Sequence, residues 1–194
     1  MVPFFENNFE DQTFADMNSV GNKILSKSFY NCTFTNCDFS KSSFADSLFS
    51  ECSFNSCNFS LANFNQTKLQ EVTFNECKLL GINFSEINNF IIKISFDKSI
   101  ISDCIFSELK LKETKFTDCK INNCDFFQAN LSDSDFSNSN LKETIFDNTN
   151  LSRTVFTDAT EYQINPLTNK LKGAQFSLPE AISLFDFLDI KIER

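Results

Sequence analysis

From Phe4 onward an apolar residue returns at every fifth position. The series Phe4, Phe9, Phe14, Ser19, Ile24, Phe29, Phe34, Phe39, Phe44 continues through Phe49, Phe54, Phe59, Phe64, Leu69, Phe74 and Leu79 to Phe84. A second series starts at Ile91 and runs through Phe96, Ile101, Phe106, Leu111, Phe116, Ile121, Phe126, Leu131, Phe136, Leu141, Phe146 and Leu151 to Phe156. Of these 31 positions, here termed teeth, only Ser19 is polar, and they hold 20 of the 26 phenylalanines. Neither the helical period of about 3.6 nor the strand period of about 2 produces such a comb. A fixed short repeat sustained over most of a chain is the signature of a solenoid.

Around each tooth the unit reads small-x-Phe/Leu-x-x, as in Cys32-Thr33-Phe34, Ser47-Leu48-Phe49 and Ala129-Asn130-Leu131. The remaining positions are mostly Ser, Asn, Thr, Asp, Lys and Glu. Two inward residues of unequal size and three outward polar ones suit a narrow coil that turns a corner every five residues. In this unit the chain resembles the pentapeptide-repeat family, written A(D/N)LXX, over roughly Phe4 to Phe156. The resemblance implies an all-β fold, a right-handed quadrilateral β-helix with four units, hence 20 residues, per coil. The segment from Phe29 to Ser40 recurs in kind 20 residues later, from Phe49 to Ser60, which supports that coil length independently. Only three glycines occur, so most corners are expected to form without a positive-φ specialist.

The comb slips by two residues within Ser85–Ser95. A two-residue bulge near Asn88, Asn89 and Phe90 would account for it, as would a longer projecting loop that contacts a partner. Repeat units stop after Phe156, so the solenoid is expected over residues 1–159 and a distinct tail over 160–194. Residues 160–169 read as a turn-rich connector. Ser177-Leu178-Pro179-Glu180 has capping-box form and predicts a short capping helix over Leu178–Leu188, followed by a short strand at Asp189–Ile192. The apolar arc of that helix is too wide for one packing face, so Leu184, Phe187, Leu188 and Ile190 are expected at a homodimer interface.

Eight cysteines raise the question of disulfides or metal. Each of Cys32, Cys37, Cys52, Cys57, Cys77, Cys104, Cys119 and Cys124 lies two residues before a tooth, and the chain has no histidine. Cysteines confined to one phase of a repeat act as small apolar fillers, and free thiols point to a reducing compartment. No cofactor and no metal are expected. The N-terminus shows no basic-then-apolar leader and no apolar run approaches a membrane span, so a cytoplasmic protein without a membrane partner is expected. Without histidine, a phosphate-cradling loop or an interior pocket, the parts of an enzyme are missing; the pair Asp133 and Asp135 sits on outward positions, and a non-enzymatic binding surface is the reading.

The tail, with Thr160-Glu161, Ile164-Asn165-Pro166 and a Pro-Glu-Ala helix, resembles the Qnr-type quinolone-resistance proteins and their microcin-immunity relatives. That resemblance implies a C-terminally joined dimer that engages DNA gyrase and topoisomerase IV by imitating duplex DNA. Net charge is -9, from 26 acidic and 17 basic residues, which argues against direct nucleic-acid binding. Duplex DNA as long as this rod, ~37 Å, would carry about 22 charges, so shape must carry part of any mimicry. Outward acidic positions gather in two stacks. One holds Glu108, Asp125 and Asp147; the other holds Asp97, Asp118, Asp135 and Asp158 against Lys98 and Lys115, while Lys110, Lys112, Glu113, Asp133 and Arg153 are near balance. Glu108, Asp125, Asp147, Asp118 and Asp135, with Asn88, Asn89 and Phe90 at the slip, are the candidate partner-binding residues. A structural or scaffolding solenoid with another protein partner is the alternative.

Overall fold

Twenty residues per turn place each tooth directly above its equivalent, and the backbone pairing follows from that. The computed structural model describes residues 4–190. It is a right-handed quadrilateral β-solenoid of about eight turns. Short parallel strands stack coil on coil, pairing Phe9 with Phe29, Phe29 with Phe49, Phe34 with Phe54 and, beyond the slip, Phe96 with Phe116. The teeth form four ladders inside the coil. Phe29 lies 4.8 Å from Phe49 and Phe116 lies 4.7 Å from Phe136, both pairs near-parallel. Rings of different ladders meet edge to face, as Phe126 and Phe136 do at 6.0 Å and 90°. Offset stacks and edge-to-face pairs are the arrangements the ring quadrupole favours.

Where the residue two positions before a tooth is Cys, Ser or Thr, it has a donor's task. The thiols of Cys52 and Cys77 donate to the carbonyls of Phe29 and Phe54 in the coil beneath, both at 3.4 Å. The hydroxyls of Ser134, Thr144 and Thr154 make the same bond to Leu111, Ile121 and Leu131 at 2.8–2.9 Å. A small side chain with one donor therefore fits this slot, which explains its Cys, Ser and Thr content.

Most corners form without glycine, as expected, yet keep the left-handed conformation. Residues two positions after the teeth adopt positive φ almost throughout, and nearly all are not glycine: Asp11, Lys41, Leu61, Glu108 and Arg153 lie at φ 54–63°. For such residues this conformation costs roughly 1–2 kcal/mol. Its compensation is a backbone bond to the next coil, such as Glu108 N–H to Phe127 C=O at 2.8 Å and Lys41 N–H to Ser60 C=O at 2.8 Å. The corners thus use positive φ without the specialist residue.

At the slip, Asn88 N–H still bonds Thr67 C=O in register. Phe90 and Ile91 then swing out, 88% and 52% exposed. Ile91, expected as a tooth, is replaced by Ile92, which packs against the core. Pairing resumes with Lys93 opposite Gln70 and Ile94 opposite Val72, so Glu71 has no counterpart at that corner. Extra residues before Ile92 and one lost after it give the net shift of two.

The coil also runs past the boundary expected at residue 159. Gln163–Ile164 pairs with Ile145–Phe146, Gln175–Phe176 pairs with Val155–Phe156, and Phe176 stacks on Phe156 at 5.0 Å. Asn169 takes the small slot: its Nδ2 donates to Phe146 C=O at 2.7 Å and its Oδ1 accepts from Thr149 N–H at 2.8 Å. The terminal helix is a 3₁₀ helix, Glu180–Phe187, preceded by Pro179 without a side-chain cap. The expected capping box does not form, because Ser177 Oγ accepts instead from the Asp158 corner N–H at 2.7 Å. Asp189 turns with φ 50°, so no strand begins there; residues 191–192 of that expected strand lie outside the described residues.

Two substitutions test this account by chemical denaturation. Phe106→Ala, which removes a fully buried ring stacked on Phe84 at 4.7 Å and Phe126 at 4.8 Å, should cost about 3–5 kcal/mol. Lys41→Gly should raise stability by roughly 0.5–1 kcal/mol, the relief of left-handed strain less the added freedom of the unfolded chain. A loss of stability in Lys41→Gly would contradict the strain argument.

Candidate protein-binding surface

Because the fold fixes three outward positions per unit, each face of the rod has a readable charge. The face of the Phe84–Phe106–Phe126–Phe146 ladder, with the corner that follows it, presents Glu6, Asp46, Glu86, Glu108, Asp125 and Asp147 against Lys23 alone. The opposite face, over Phe96, Phe116 and Phe136, presents Asp16, Glu76, Asp97, Asp118, Asp135 and Asp158 against Lys98 and Lys115. The two faces between them are close to neutral.

The candidate residues are thus divided between opposite sides. Glu108 and Asn89 line one shallow hollow with Ser85, so the bulge and the acidic corner are neighbours, and Phe90 projects beside them. Asn88 is occupied locally, its Oδ1 accepting from Phe90 N–H at 3.2 Å. Asp118 and Asp135 belong to the other side. Asp125 and Asp135 are half-buried and each caps its own turn, accepting from Phe127 N–H at 2.8 Å and Ser137 N–H at 2.9 Å. The same bond is made by Asp38, Asn58, Asn130 and Asn150, which accounts for Asp or Asn just before many teeth. Asp147 lies elsewhere, in a hollow with Glu143, Ile145 and Phe187. Sequence reasoning passed over Glu86 and Asp46 on the corner of Glu108, although their shared phase in the repeat marks them.

Stacked acids are met by donors one coil away. Asn31 donates to Asp11 and Asn123 to Asp103, both at 2.7 Å, and Thr117 donates to Asp97 at 2.9 Å. Arg153 grips Asp133 with Nε at 2.5 Å and Nη2 at 2.7 Å. That guanidinium holds the Asp133 carboxyl below the usual carboxylate range, and the geometry offers Asp133 and Asp135 no shared proton. Among the described residues no His/Cys/Asp/Glu group could hold a metal ion, and no helix is long and apolar enough to cross a membrane. Of the expected dimer residues, Leu184 packs against the chain's own core, whereas Phe187, Leu188 and Ile190 are exposed.

A model of the pentapeptide repeat region matches residues 27–96 and 89–156. The chain belongs to the pentapeptide-repeat family. No curated protein matches it in sequence, but solved structures do. A trypsin-treated QnrB1, described as a plasmid-mediated fluoroquinolone resistance protein, aligns with TM-score 0.52 and 18% identity over 96% of this chain and 97% of that one. HetL, a pentapeptide repeat protein involved in heterocyst differentiation regulation from the cyanobacterium Nostoc sp. strain PCC 7120, aligns with TM-score 0.55 and 16% identity over 87% and 84%. At these identities the likeness establishes the shared β-helix and nothing finer.

All eight cysteines of this pentapeptide-repeat protein are buried and free. Burial pushes the Cys52 and Cys119 thiols up to about 12, and the Tyr162 hydroxyl likewise to about 12. A pKa raised by folding contributes stability in full below its unfolded value and loses it as pH climbs to the folded value. Stability should therefore hold from neutral pH to about 8.5 and fall between about 9 and 12, with Cys119→Ser giving a shallower fall. Native protein should leave its thiols unreacted with a colorimetric disulfide reagent, and unfolded protein should titrate all eight. Rapid native labelling would refute the filler role.

Proposed function

We propose that the chain is a non-catalytic binding protein whose acidic corner docks a type II topoisomerase, DNA gyrase or topoisomerase IV, and protects it from quinolones or peptide toxins. The observation that carries this reading is the corner of Asp46, Glu86 and Glu108, exposed, with no basic residue in its own phase of the repeat and Lys27 reaching it only at Glu6, flanked by the projecting Phe90. A DNA-binding groove on an enzyme is cationic, and a negatively charged rod complements it. The fold shared with a fluoroquinolone resistance protein supports the choice of enzyme. Binding of this kind needs no cofactor and takes place in the cytoplasm, where reduced thiols persist.

The exposed Leu178, Ile182, Leu188 and Ile190 at the C-terminal end favour pairing of two copies there. A second reading, a scaffold for a different protein, is favoured by the internal pairing of Asp11, Asp97, Asp103 and Asp133, which leaves fewer free charges than a DNA surrogate would use.

In a supercoiling assay with a quinolone, the wild-type chain should restore gyrase activity, and gyrase binding should be displaced by duplex DNA and weakened by salt. Glu108→Lys combined with Asp46→Lys should weaken binding at least tenfold, an energetic loss of about 1.4 kcal/mol or more. Failure to bind gyrase or to compete with DNA removes the topoisomerase reading and leaves the scaffold. Separately, Leu188→Glu should convert dimer to monomer by light scattering; an unchanged mass would reject the C-terminal pairing.

A further inference from the structure

The last full coil is contracted on one side. Phe146 pairs with Ile164, only 18 positions on, while Phe156 pairs with Phe176, 20 positions on. The shortfall uncovers the top of the acidic face and leaves a hollow of about 260 Å³. Ile145, Asp147, Glu143 and Phe187 of the 3₁₀ helix all line it. Ile145 is 52% and Phe187 37% exposed, so an aliphatic surface and an aromatic ring face solvent beside two carboxylates. Asp147 accepts one side-chain bond, from Asn148 Nδ2 at 3.2 Å, and keeps capacity for another donor. The adjoining hollow, which shares Glu143, adds Glu161, Glu180 and Asp186 against Lys142, so the surroundings are acidic as well.

We propose that this hollow takes an arginine side chain presented by a partner protein. An apolar stem can lie along Ile145, a planar cation can stack on the Phe187 ring, and its forked donors can reach a carboxylate. Each feature of the hollow corresponds to one part of that side chain. Charge also excludes the competing occupants. An anion would meet Asp147 and Glu143. A second copy of this chain docked with the hollow on the two-fold axis would bring those same carboxylates against their equivalents. Phe187, expected at a homodimer interface, lines this acidic hollow and is open to a cationic partner, whereas Leu188 and Ile190 do not line it. The inference rests on the chain being a binding protein and not on the identity of its partner.

The probe is a fluorescein-labelled nonapeptide of alternating leucine and arginine, set against a twin in which citrulline replaces arginine with the same shape and no charge. Fluorescence anisotropy with the full chain should show the arginine peptide binding at least tenfold more tightly than the twin. Asp147→Asn and Phe187→Ala should each weaken it at least fivefold, while Asp16→Asn on the opposite face should not. Equal affinity for both peptides, or an arginine-peptide affinity unmoved by Asp147→Asn, overturns the proposal. So does a Phe187→Ala chain that turns monomeric when the wild type binds no peptide, since a second copy then covers the hollow. A chain inactive on gyrase would still be tested by these titrations, so the two readings fail separately.

Discussion

Parallel backbone pairing fixes the rise from coil to coil, and that rise is close to the thickness of an aromatic ring stack. Strands pair at about 4.8 Å, and rings one coil apart sit 4.7–5.7 Å apart, from Phe34–Phe54 to Phe64–Phe84. A planar side chain is therefore the natural tooth for this geometry. An aliphatic tooth fills the space without the stack, and the second half of the rod alternates the two. Phe96, Phe116 and Phe136 run up one side, Phe106, Phe126 and Phe146 up the opposite side, and Leu or Ile occupies the ladders between. The facing Phe ladders still touch edge to face, Phe116 on Phe126 at 5.6 Å. The core stays continuous although half its rings are gone.

The polar positions are nearly as constrained as the apolar ones. A coil that turns every five residues leaves backbone groups at each corner that buried structure must satisfy. Small-slot hydroxyls and thiols satisfy tooth carbonyls, Asp and Asn before the tooth satisfy the N–H after it, and corner N–H groups reach the coil above. A carboxylate in such a role is poorly available to a partner. This distinguishes Asp125 and Asp135, which cap turns, from Glu108 and Asp46, which sit at corners where only the backbone is used.

Most of the fold was legible because its period is rigid: one phase error would move every ring to solvent, so the comb from Phe96 to Phe156 translates directly into ladders. Legibility failed where spacing stopped deciding. At the slip, Ile91 and Ile92 are equally apolar and adjacent, and only the pairing of Lys93 with Gln70 selects Ile92 as the buried one. Beyond Phe156 the coil continues with Ile164 and Phe176 at irregular spacing, which no five-residue comb can follow. Ser177 reads equally well as a helix cap or as a corner acceptor, and the need of Asp158 N–H for a partner settled it. The candidate surface was legible in part, since the phase of Glu108 also identifies Asp46 and Glu86. The meeting of Asp147 with Phe187 was not, because it depends on where a contracted coil directs the terminal helix.

These exceptions share a cause that bears on function. A regular coil has no interior cavity: teeth fill it, and its faces are ladders of short side chains. The projecting Phe90 and the hollow at Phe187 arise where the count per coil changes. The chain changes it three times among the described residues, by two extra residues before Phe96, by two fewer before Ile164 and by two regained before Lys170. The first change pushes out Phe90 beside Glu108, and the second opens the hollow between Asp147 and Phe187. Both lie along the face that carries six carboxylates against one lysine. The face with the least opposed charge thus also carries the projecting Phe90 and the hollow at Phe187, and a partner aligned by charge along it would meet both features.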